Sequence, residues 1–157
     1  MAKNAVLKLP EWEMEYICFG SGAKTLIMLP GLGDGLRTMK GTALPMSLLY
    51  RKFAKDYTVY VFSRRSQIPT GYTTRDMARD QKIAMDALGI SKADVIGVSM
   101  GGMISQWLAA DYPEMVEKLV LVVTADKRNP LMEESLNLWI GQAKAGDHRA
   151  LMDSNLQ

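Results

Sequence analysis

The chain has 157 residues, of which 48% are apolar and 23% charged, with a formal net charge of +2. That length and composition suffice for the buried core of one domain, and Lys and Arg interspersed with Asp and Glu leave no basic face for nucleic acid or an anionic membrane. A single cysteine, Cys18, excludes an internal disulfide. Met1-Ala2-Lys3-Asn4-Ala5 lacks the apolar core of a signal peptide, and no apolar run has the length of a membrane span, so a cytoplasmic compartment and a small-molecule partner are expected.

In chain order, Ala5 to Leu9 and Met14 to Phe19 read as two short strands around a turn at Pro10-Glu11-Trp12, forming an antiparallel edge. Thr25 to Leu29 is a continuous apolar run of strand length, which predicts a central strand covered on both faces. It empties into Pro30-Gly31-Leu32-Gly33-Asp34-Gly35, at the end of a strand where open α/β sheets place ligands. A dinucleotide fingerprint would need glycine where Leu36 stands, and a phosphate-binding P-loop would end in Gly-Lys-Ser or Gly-Lys-Thr, which is absent. The alternative favoured by the residues is that backbone N–H groups of Leu32 and its neighbours face an oxyanion.

From Ala43 to Lys55, Leu44, Leu48, Leu49 and Phe53 recur at helical spacing and predict a helix laid over the sheet. Tyr57 to Phe62 reads as the next strand, followed by an irregular polar stretch from Ser63 to Gly71. In that stretch Arg64 and Arg65 are expected to be solvated or paired with nearby carboxylates, the other reading being a site for an acidic substrate. Thr73 or Thr74 caps a helix running to about Leu88, with Asp76 in its first turn and Gly89 ending it.

Ala93 to Gly102 reads as a buried strand, a sharp turn and the start of a helix, with Ser99 at the tip. Gly97 and Gly101 stand two residues either side of Ser99, the spacing required where a strand end and a helix start approach too closely for a Cβ. The helix runs to about Asp111, where Tyr112-Pro113 stops it, and Val116 to Val123 supplies another β-branched strand. Alternating strands and helices with short connections predict an α/β fold: a doubly wound, mostly parallel sheet with helices on both faces.

Three stretches, Leu29 to Gly33, Gly97 to Gly102 and Tyr112 to Leu121, resemble the oxyanion loop, nucleophile elbow and following strand of the α/β hydrolases. The resemblance covers about Lys3 to Asp126 and departs in one small way, with Pro30 where many members carry histidine. It implies a serine hydrolase acting on an ester, thioester or similar carbonyl substrate, without cofactor or metal. Ser99 would be the nucleophile, with the backbone N–H groups of Leu32 and Met100 as oxyanion donors.

The resemblance also implies a division into an N-terminal part of the core, residues 1–126, and the beginning of a helical cap, residues 127–157. Family members continue through two further strands bearing an acid and a histidine, so a truncated sheet is expected here, with an exposed strand edge open to self-association. The order Ser99, Asp126, His148 does match serine, acid, histidine as the family has it. Yet His148 lies in the polar run Gly146-Asp147-His148-Arg149, which favours a surface histidine. The reading from another functional class is a binding or interaction module that keeps the elbow without a base.

Overall fold

The structure is a computed structural model and describes residues 2–35, 38–127 and 129–154. It divides into two compact units, Met1–Ala125 and Asp126–Gln157.

The first unit carries a sheet whose described strands are β1 (Lys3–Lys8), β2 (Glu13–Gly20), β3 (Lys24–Leu29), β4 (Tyr57–Arg65), β5 (Ala93–Val98) and β6 (Val116–Val122). Their spatial order is β1-β2-β4-β3-β5-β6. β1 pairs antiparallel with β2 and β2 antiparallel with β4, whereas β3 lies parallel to both β4 and β5, and β5 parallel to β6. The expected antiparallel edge and parallel centre are both present.

Alternation along β3 explains its apolar run. Ile27 and Leu29 belong to one core, shared with Phe62, Val95, Ile104 and Leu108, while Leu26 and Met28 belong to another with Ile17, Phe19 and Val59. Side chains on a strand point to opposite faces in turn, so a strand covered on both sides must be apolar throughout. The first core lies against α2 (Thr74–Ala87) and α3 (Met100–Asp111), and the second against α1 (Ala43–Leu49).

Two elements differ from expectation. The stretch from Ala43 to Lys55 is not one helix: α1 stops at Leu49, and a 3₁₀ turn at Phe53–Lys55 follows. Nor do its leucines cover the sheet, since Leu44, Leu48 and Leu49 are 66%, 61% and 72% exposed. Ala43, Met46 and Tyr50 pack on the core instead. Strand β4 also runs past Phe62 to Arg65, because its ladder with β2 continues through Met14 opposite Arg65.

The second unit holds α4 (Pro130–Ala145) and α5 (His148–Ser154). Asn129 caps α4 by accepting from the Met132 N–H at 2.8 Å, and Gly146, with φ of 71°, ends it in the left-handed region that glycine tolerates. Among the described residues no helix is long and apolar enough to cross a membrane.

Candidate active site

Strand β5 ends at Val98 and α3 begins at Met100, leaving Ser99 alone to make the turn. Its φ of 52° and ψ of −121° lie far outside the regions an L-residue ordinarily occupies. Bonds to its own helix and to the end of β6 hold it there. The Ser99 N–H donates to the Val122 carbonyl at 2.9 Å, and the Ser99 carbonyl accepts from the Gly102 N–H and the Thr124 hydroxyl, each at 2.8 Å. The residue itself is exposed.

The glycines around it are required by space. A Cβ on Gly97 would fall 2.6 Å from the Gly101 carbonyl oxygen, and one on Gly101 would fall 2.6 Å from that of Pro30. The helix start thus packs directly on the end of β3, which brings Gly31 beside the serine: a Cβ on Gly31 would stand 3.2 Å from Ser99 Cβ and 3.7 Å from its Oγ. Leu32, next in the chain, opens a 3₁₀ turn, Leu32–Gly35. Met100 opens α3, so its N–H is among those a helix leaves without an internal partner. Neither the Leu32 nor the Met100 N–H donates to another described residue.

Behind this loop sits a buried ion pair that periodicity could not reveal. Asp34 and Arg64, with side chains 0% and 3% exposed, approach to 3.9 Å between Oδ2 and Nη1. The Arg64 N–H donates to Asp34 Oδ2 at 2.8 Å, and Arg64 Nη2 donates to the Pro30 carbonyl at 2.5 Å. Burial pushes the Asp34 carboxyl above the ordinary aspartate range, opposed by bonds from Ser63 and the Arg64 N–H and by the Arg64 charge. Burial likewise lowers the Arg64 guanidinium, opposed by Asp34. Arg65 has a different setting, between the rings of Trp12 and Tyr72 at 5.0 and 5.4 Å, with Asp80 3.7 Å from Nη1. Both arginines therefore pair with carboxylates, as expected, but inside the fold rather than in a solvated loop.

The structure brings Ser99, Leu32 and Met100 into one neighbourhood through Gly31. Asp126 and His148 belong to the second unit, Asp126 in the bend after β6 and His148 as the first residue of α5, and both are exposed. Among the described residues no cluster of three or more His, Cys, Asp or Glu could hold a metal ion.

Residues 24–151 match the family described as alpha/beta hydrolase fold. The chain is 32% identical over 162 aligned positions to 2-hydroxymuconate semialdehyde hydrolase of Pseudomonas sp. strain CF600, an alignment covering 96% of this chain and 56% of that one. Over 58 residues, 37% of this chain and 15% of the other, it is 47% identical to homoserine O-acetyltransferase of Thermus thermophilus. The fold matches MGS-M2, an alpha/beta hydrolase enzyme from a Medee basin deep-sea metagenome library, with a TM-score of 0.83 at 22% identity, covering 97% of this chain and 56% of that one. The chain spans about half the length of the curated relatives it matches across most of its own length. With the elbow, the loop after β3 and the strand order in agreement, the chain belongs to the α/β-hydrolase family.

Proposed function

We propose that the chain is the nucleophile-bearing part of a serine hydrolase that attacks an ester, thioester or related carbonyl in a small molecule. The observation that carries this reading is Ser99, held at φ 52° on the strand-to-helix turn with Gly31 packed against it. In this reading the Ser99 Oγ attacks the carbonyl carbon, and the oxygen that becomes negative is received by the N–H groups of Leu32 and Met100. Donors held in place before that charge develops need no rearrangement as it forms, which is why sites of this kind lower the barrier. The named relatives, a semialdehyde hydrolase and an O-acetyltransferase, are consistent with carbonyl chemistry in small molecules. Residues 127–157 are proposed as the beginning of a helical cap.

One observation favours a second reading, a binding module on the same fold: among the described residues Ser99 Oγ has no hydrogen-bonded acid or imidazole to take its proton. A fluorophosphonate probe separates the two. If a base activates Ser99, peptide mapping finds it labelled well ahead of the exposed Ser21 and Ser91, with that signal lost in Ser99→Ala. Equal, slow labelling of all three would favour the binding module.

A further inference from the structure

Leu32 can serve as an oxyanion donor only if its peptide plane is turned the right way, and glycines flank it on both sides. Gly31 and Gly33 permit a wide range of backbone angles, so the Gly31–Leu32 peptide could present either its N–H or its carbonyl to Ser99. A carbonyl there would repel the developing negative charge. The loop's own Asp34 N–H donates to the Gly31 carbonyl at 3.3 Å, and a second hold on the same peptide comes from outside the loop.

Arg64 provides that hold. Its Nη2 donates to the Pro30 carbonyl at 2.5 Å and reaches the Gly31 carbonyl at 3.5 Å. The two successive carbonyls are thereby drawn to the guanidinium. In a planar trans peptide the N–H points opposite to the C=O, so the Leu32 N–H is directed away from Arg64.

The guanidinium is in turn held by the Asp34 carboxylate, which itself accepts from the Arg64 N–H at 2.8 Å. Arg64 thus joins β4 to both ends of the loop. Its Nε and Nη1, together with Asp34 Oδ1, have no hydrogen-bond partner among the described residues. Asp34 and Arg64 are among the residues that line a cavity of about 280 Å³. A buried charge pair is a poor source of stability compared with apolar residues of the same volume, which leaves room for a task other than packing.

We propose that Arg64 is a positioning residue, whose guanidinium pins the Pro30 and Gly31 carbonyls and so orients the Leu32 N–H toward the oxygen of a carbonyl attacked by Ser99. This rests on the serine-hydrolase reading above, and its test has one arm independent of that reading. The first arm measures the one-bond ¹⁵N–¹H dipolar coupling of Leu32 in an aligned sample of the chain. Arg64→Met is expected to shift that coupling while those of β3 and α3 stay as they are, and Arg64→Lys, which keeps a charge and a donor, to retain most of the parent value.

Should Arg64→Met fail to fold because Asp34 is left unpaired, the double variant Asp34→Asn/Arg64→Met removes both charges and carries the same expectation. An unchanged Leu32 coupling in a folded Met variant overturns the proposal. So does a shift equally large in Arg64→Lys, which would assign the effect to packing. The second arm titrates phenylboronic acid, whose tetrahedral serine adduct places an oxygen at the same donors. About tenfold weaker binding is expected in the Met variants. Absence of any adduct in the parent would count against the serine-hydrolase reading, while the dipolar coupling still decides the role of Arg64.

Discussion

Gly101 lies so close beneath Pro30 that a Cβ on it would stand 2.6 Å from the Pro30 carbonyl oxygen, nearer than carbon and oxygen can approach without displacement. The obstacle is backbone, fixed at the end of a central strand, and cannot swing aside. Gly101→Ala is therefore expected to destabilise the chain by about 3 kcal/mol, at the upper end of overpacking costs, and to separate the elbow from the loop after β3. Gly141 is the contrast, for a Cβ there meets no described atom within 4 Å. Gly141→Ala should stabilise α4 by about 1 kcal/mol through helix propensity alone. Urea denaturation and amide exchange of the two variants check both signs.

The start of α2 should respond to acid. Thr73 Oγ1 accepts from the Asp76 N–H at 3.2 Å while Asp76 Oδ2 accepts from the Thr73 N–H at 3.0 Å, a reciprocal capping box. The Thr73 hydroxyl, and after it the Thr73 N–H, hold the Asp76 carboxyl below its ordinary value of 3.8. Because the folded value lies below the unfolded one, this contribution is complete above the unfolded value and is lost as pH falls through the folded one. Thr73→Ala should cost about 1 kcal/mol at neutral pH and progressively less below about pH 4 as Asp76 protonates. A cost that stays constant down to about pH 2 would count against the box.

Turnover is expected to be feeble in the 157-residue chain. Among the described residues no base is hydrogen-bonded to Ser99 Oγ, and on the proposed serine-hydrolase reading what remains without one is of the order of 10³ to 10⁴-fold over water, from binding and the proposed oxyanion donors. Hydrolysis of p-nitrophenyl butyrate should accordingly change little in either Ser99→Ala or His148→Ala. Ordinary enzyme rates abolished by both substitutions would instead make His148 the base.

Self-association is expected through β6, which among the described strands ends the sheet order and pairs with β5 alone. Val120, Leu121 and Val122 are 49%, 43% and 39% exposed, and the edge beside them carries no charge after Lys118. Light scattering at high micromolar concentration should find dimers or larger species, reduced by Leu121→Lys. A parent chain that stays monomeric, with no protection of β6 amides, would remove the basis for this prediction.

Local patterns made the strands, the capped helix α2 and the elbow legible, because each carries a signature among residues that are neighbours in the chain. The β-branched run before Gly97, the glycines two residues from Ser99, and Asp76 three residues from Thr73 are patterns of that kind. Arg64 was legible only as a charge in a polar stretch, since its partners Pro30 and Asp34 lie 34 and 30 positions away and meet it only when β3 and β4 pair. The orientation of α1 was likewise decided by tertiary structure. Leu44, Leu48 and Leu49 offer an apolar stripe as good as that of Ala43, Met46 and Tyr50, and spacing cannot choose between them. Just before the helix, contacts from distant strands hold the chain: Asn4 Oδ1 accepts from the Gly41 N–H at 2.7 Å and the Ser63 hydroxyl accepts from the Met39 N–H at 3.0 Å. Those two bonds anchor the loop leading into α1 on β1 and β4, and beyond it Met46 and Tyr50 lie on the core while the leucines are exposed.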